Sequence, residues 1–133
     1  MANRLYPLGA NSILKAQVDF ESGSFSAVLL PNSYAYSATH EFLSDLGPIV
    51  GSKSALTGTA VSGGSFDADD AAFGPVAGGS TVRAMAIIKD TGNASTSPVL
   101  IYFDDVPGFP FLTNGADVTI RWPSGAGRIL SLV

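Results

Sequence analysis

The chain has 133 residues, of which 46 % are hydrophobic and only 14 % charged, with a net charge of −4, 15 glycines, 8 prolines and no cysteine. A single core is the expectation at this length, because a domain of this size hides roughly two-thirds of the surface that its unfolded chain exposes. Thiol chemistry and disulfides are excluded, and the Lys and Arg residues are too scattered to form the basic stripe that nucleic acid requires.

In chain order, "LYPLGANSILKAQVDF" places Leu5, Leu8, Ile13, Leu14 and Val18 at near-helical spacing, but Pro7 and Gly9 limit a helix to about two turns around residues 10–17. Residues 1–20 therefore read as an N-terminal arm with a short helix, and the opening lacks the apolar run of a secretory signal. A strand follows at "SFSAVLL", ended by Pro31 and Asn32. "SATHEFLSDLGP" predicts a second short helix, capped by Ser37 or Thr39, with Glu41 in its first turn, Phe42, Leu43 and Leu46 buried, and Gly47-Pro48 as the stop.

Beyond this point the pattern changes to period two. Strands are predicted over residues 55–61 and 64–73, joined by Ser62-Gly63-Gly64. In "TVRAMAIIK", Val82, Ala84, Ala86 and Ile88 fall on one face and Arg83, Met85 and Ile87 on the other, so a central strand with two apolar faces is expected. "DTGNASTSP" is a turn, "VLIYFDD" the return strand, "VPGFPFLTNGA" a loop, and residues 117–122 and 127–133 are further strands. The expected fold is mainly β: a single-domain antiparallel β-sandwich over residues 1–133, Ig-like or jelly-roll-like, with about eight strands and two short helices near the N-terminus. The longest apolar stretch, Pro98 to Phe103, is far below the roughly 18 to 20 residues of a membrane span, so no membrane is expected.

The motifs that carry chemistry fail on their details. In "GSFDADDAAF", a calcium loop starting at Asp67 finds its third ligand in Asp69 but meets Ala71, Ala72 and Gly78 where a ligand, a glycine and a glutamate are needed. A general acid among Asp67, Asp69 and Asp70 would need a deep apolar cavity, for which a small β domain has little room. Asp104-Asp105 reads as a strand-end turn. His40, the lone histidine, cannot build a typical zinc site without cysteine, no G-x-S-x-G elbow supplies a serine for it, and it reads as a first-turn helix residue. "GSKS" and "GAGRIL" each lack a glycine that a phosphate loop requires, and Asn93-Ala94-Ser95 reads as turn chemistry. No catalytic, cofactor-binding or metal-binding residue is assigned. What remains is surface: Phe109 and Phe111 in the proline-flanked loop, and Tyr34 and Tyr36 in "PNSYAYS", are candidate protein contacts, with folding back onto the ends of the sandwich as the alternative.

Across the whole chain, "MANRLYP", "ATHEFLSDL", "SALTG", "DADD", "KDTGNASTS" and "NGADVTIRWPSGAGRIL" occur in an order that resembles a family of small tailed-bacteriophage virion proteins. "LGPIVGSKS" is shorter than the connection usual in that family. The resemblance implies a non-enzymatic virion component, assembled in the bacterial cytoplasm and residing on the particle. Within the virion, a capsid decoration or cement protein is expected, bound to the major capsid protein, present as symmetric copies and without a cofactor. Leu5 and Tyr6 are then the leading contact candidates, ahead of Phe109 and Phe111, and deletion of residues 1–8 is expected to weaken attachment while leaving the β domain folded. The alternatives are a neck, tail or fibre-adaptor component, a carbohydrate-binding adhesion module using exposed Tyr and Trp platforms, and, last, a hydrolase using the aspartates.

Overall fold

The structure, a computed structural model, describes residues 3–122 and 128–131. In chain order its elements are β1 (Arg4–Leu5), α1 (Pro7–Leu14), β2 (Phe25–Pro31), a 3-10 turn (Leu43–Leu46), β3 (Val50–Ala55), β4 (Ala60–Ser62), β5 (Ser65–Asp67), β6 (Ala71–Pro75), β7 (Thr81–Lys89), β8 (Val99–Phe103), β9 (Phe111–Leu112), β10 (Asp117–Ile120) and β11 (Arg128–Ser131). The main sheet runs β1-β8-β7-β2-β3, every pair antiparallel. Val82 of β7 pairs with Pro31 on one edge and Phe111 on the other, so β9 extends the edge of β7 that β8 occupies further along. Two smaller sheets, β10-β6 and β11-β5-β4, complete the fold.

The central strands β2, β7 and β8 are buried on both faces, which is why β7 and β8 read as nearly unbroken apolar runs. Toward the small sheets, Phe25, Ala27 and Leu29 of β2 meet Met85 and Ile87 of β7 in the larger core, joined by Phe66 and Trp122. On the opposite face, Val28 and Leu30 meet Ala84, Ala86 and Ile88, roofed by Tyr6, Tyr34, Leu46 and Tyr102. Each large side chain so buried stabilises by roughly 1.5–3 kcal/mol relative to exposure.

Strict alternation fails at one bulge in β7 and one in β8. Leu30 pairs with Ala84 but Pro31 with Val82, leaving Arg83 as an extra, exposed residue and turning Val82 into the larger core instead of the face of Ala84. Likewise Ile87 pairs with Ile101 and Ile88 with Val99, so Leu100 is extra and joins Ile101 in the larger core. Proline explains the first case, since Pro31 has no amide hydrogen to continue the ladder.

Both predicted helices are corrected. The first starts at Pro7, three residues earlier than expected, because a proline at the first helical position gives up only an amide that has no partner there. The second does not form: Val99 donates to the Glu41 carbonyl and Leu43 to the Ser97 carbonyl, so the backbone at residues 41–43 is engaged by the approach to β8, and only the 3-10 turn follows. Ser37 forms a local turn with Thr39, and the Asp45 carboxylate accepts from the Glu41 and Phe42 amides, which hold it below the usual carboxylate range.

Strand prediction was too continuous between residues 50 and 75. "GSKS" lies within β3, and the predicted 55–61 strand is interrupted at Gly58, whose positive φ of 63° and contact with the Asp69 carboxylate leave no place for a Cβ. The predicted 64–73 strand divides into β5 and β6, which belong to different small sheets. The predicted loop at residues 106–116 contains β9, and of the predicted strand 127–133 residues 128–131 form β11, its predicted ends lying outside the described residues.

Candidate functional site

The crossing between β5 and β6 is the acidic stretch itself. Trp122 donates its indole N–H to the carbonyls of both Ala68 (3.1 Å) and Asp69 (3.0 Å), and the Asp69 amide donates to the Thr57 carbonyl. Asp67 accepts from the Ala68 amide and Asp69 from the Thr57 hydroxyl, while Asp70 is exposed. Phe66 points into the core, where its ring lies 4.8 Å from Phe20 and 5.3 Å from Phe25. The carboxylates thus border a change of sheet, and among the described residues no three His, Asp or Glu side chains are grouped so as to hold a metal ion.

All four tyrosines and the lone histidine gather on the opposite face of the main sheet. The Tyr6 hydroxyl lies 2.7 Å from that of Tyr34, which lies 2.8 Å from His40 Nδ1; the polar atoms are satisfied in sequence when Tyr6 donates to Tyr34 and Tyr34 to His40. Burial, together with the bond to Tyr34, holds the Tyr6 hydroxyl far above the ordinary tyrosine range, and burial also raises Tyr34. Tyr102 is pushed up to about 12 by burial and by the neighbouring Asp104 charge. The Asp104 carboxylate oxygens are buried and make no well-formed hydrogen bond, so their effect on Tyr102 is mainly one of charge. Tyr36 donates to the Leu5 carbonyl at 3.3 Å, and the Arg4 guanidinium sits 4.6 Å above its ring. His40 therefore belongs to an aromatic roof and not to a helix.

Residues 3–8 of the N-terminal arm are built into the main sheet and its aromatic roof. Tyr6 is fully buried, its amide donates to the Leu100 carbonyl, β1 pairs with β8, and Asn3 accepts from the Asp104 and Asp105 amides. Tyr34 is buried with it, and Leu5 and Tyr36 are half-buried. Of the sequence-selected contacts, Tyr6 and Tyr34 are thus core residues, because two hydroxyls that satisfy each other can be buried at little cost.

Phe109 and Phe111 lie elsewhere, half-buried with ring centroids 5.6 Å apart. With Leu112 and Val118 they line an open groove of about 410 Å³ between β9 and β10. Leu112 is 66 % exposed, one of the most exposed large apolar side chains of the chain. Four residues, Thr113–Ala116, connect β9 to β10, yet the strands do not pair with each other: β9 pairs with β7, and β10 with β6. Thr113 holds them apart. It is buried, its hydroxyl donates to the Ala77 carbonyl and accepts from the Ser80 amide, and its own amide donates to the Ser80 carbonyl. Sequence reading found the two phenylalanines but missed Leu112, Val118 and the flanking Asp117, whose grouping depends on a hairpin that opens. Comparison of the chain with protein-family models, curated proteins and solved structures returned no match.

Proposed function

We propose that this chain is a bacteriophage virion structural protein, a capsid decoration or cement protein that acts by binding and not by catalysis, with the main sheet and the two smaller sheets forming an antiparallel β-sandwich. The virion assignment rests on the order of sequence motifs shared with small tailed-phage proteins. The single structural observation in its favour is the groove at β9 and β10, where exposed Leu112 and half-buried Phe109 and Phe111 present apolar surface. Burial of such a patch against the major capsid protein, repeated by symmetry, would brace joints between subunits.

Leu112→Lys tests this reading. Loss of a buried leucine contact, roughly 1.5–3 kcal/mol, corresponds to an affinity for purified particles reduced by about ten- to a hundredfold. The thermal midpoint of the isolated variant should stay close to that of the parent, and unchanged attachment would sink the proposal. Copy number on intact particles separates a shell protein from a neck, tail or fibre-adaptor component. The glycan-adhesion alternative gains little support from the aromatic residues it needs, since Tyr6, Tyr34, Tyr102 and Trp122 are buried and half-buried Tyr36 is stacked on Tyr6 and covered by Arg4.

A further inference from the structure

We propose that the groove between β9 and β10 takes an extended segment of a partner protein, added as an antiparallel strand to the free edge of β10. The inference rests on the groove being the binding surface and specifies how it binds. Among the described residues β10 pairs only with β6 and β9 only with β7, so the groove lies between strands that each have one edge unpaired. An unpaired edge offers backbone N–H and C=O groups at regular spacing, and an extended peptide is the ligand that matches them.

Side chains define the partner further. Along β10, Val118 and Ile120 turn inward while Asp117, Thr119 and the following Arg121 are exposed. Asp117 borders the groove at one end, and Arg121 borders the adjoining depression, which shares Pro107, Thr119 and Ile120 with it. Neither the Asp117 carboxylate nor the Arg121 guanidinium has an ion-pair or hydrogen-bond partner among the described residues. The two unpaired opposite charges stand four residues apart, about 13 Å along a strand. The complementary antiparallel segment therefore carries an anion opposite Arg121, a cation opposite Asp117, and apolar side chains at the positions facing Ile120 and Val118.

The probe is the acetylated, amidated peptide Thr-Glu-Val-Thr-Val-Lys-Thr, titrated to millimolar concentration into the full chain while backbone amide resonances are followed. Saturable shifts confined to residues 109–121 are expected. Asp117→Lys should weaken binding roughly two- to fivefold, with recovery when the probe's lysine is replaced by glutamate. N-methylation of one alternate set of probe amides should abolish binding and of the other set leave it intact. No shift at millimolar probe, shifts elsewhere, or equal tolerance of both N-methylated probes would overturn strand addition, as would concentration-dependent self-association through these same amides without probe. If Leu112→Lys abolishes particle attachment while the probe fails to bind, strand addition falls and the binding surface stands. If the probe binds but attachment survives the substitution, the strand site stands and the virion reading falls.

Discussion

Gly9 illustrates how much one residue decides here. It lies inside α1, where glycine is intrinsically unfavourable, yet a Cβ at this position would clash with the Val99 carbonyl oxygen and stand 2.9 Å from the Leu100 Cα. The helix can approach β8 this closely only because the side chain is missing. Gly9→Ala should therefore destabilise the fold by about 1–3 kcal/mol despite the better helix propensity of alanine, read as a lower denaturant midpoint at unchanged slope. An equal or higher midpoint would show that α1 is free to shift. The same lesson applies to Tyr6 and Tyr34: a loop position marks Tyr34, and the virion resemblance Tyr6, as candidate contacts, and only their mutual hydrogen bond and that of Tyr34 with His40 reveals them as core. No spacing rule brings residues 6, 34, 40 and 102 together.

Among elements, strands were more legible than helices. The nine-residue β7 was recognisable over its whole length, because both faces of Thr81–Lys89 are apolar and Asp90 and Gly92 end it. The helix predicted around His40 failed because the Glu41 carbonyl and the Leu43 amide are taken by Val99 and Ser97, a tertiary competition that local capping signals do not register. At the N-terminus, deletion of residues 1–8 should remove β1 and the first helical residues and open the aromatic roof. The truncated chain is expected to lose several kcal/mol, since removal of a buried Tyr-sized side chain alone costs about 3–5 kcal/mol. Hydrogen exchange should show faster exchange in β8 together with residues 34–46, and native protection there would contradict the docked arrangement.

For the whole molecule, charge placement predicts opposite responses to acid and alkali. Burial disfavours the Asp90 carboxylate, but the Lys53 ammonium, the Gly92 amide and the Ser26 hydroxyl together hold it below its ordinary value. A depressed carboxylate contributes stability that is present above its unfolded value, about 3.9, and is lost as pH falls through the lower folded value. Asp90→Asn should flatten the acid limb of a stability–pH profile, and an unchanged limb would dismiss the contribution. Tyr6, Tyr34 and Tyr102 are raised, so their stabilisation is present below about pH 10 and declines as pH rises beyond it. Tyrosinate absorbance from Tyr6 should appear only together with unfolding.

By itself the sequence determined the β character, the strand at Thr81–Lys89 and the mismatch of "GSFDADDAAF" with calcium-loop spacing, and marked Phe109 and Phe111 as surface candidates, because period, turn residues and ligand spacing are local properties. Tertiary structure alone decided that Trp122 binds the chain where β5 gives way to β6, that residues 3–8 are packed in place, and that β9 and β10 turn from each other to leave a groove. Each of these depends on partners distant in sequence, where hydrogen-bond satisfaction and burial override the preferences of neighbouring residues.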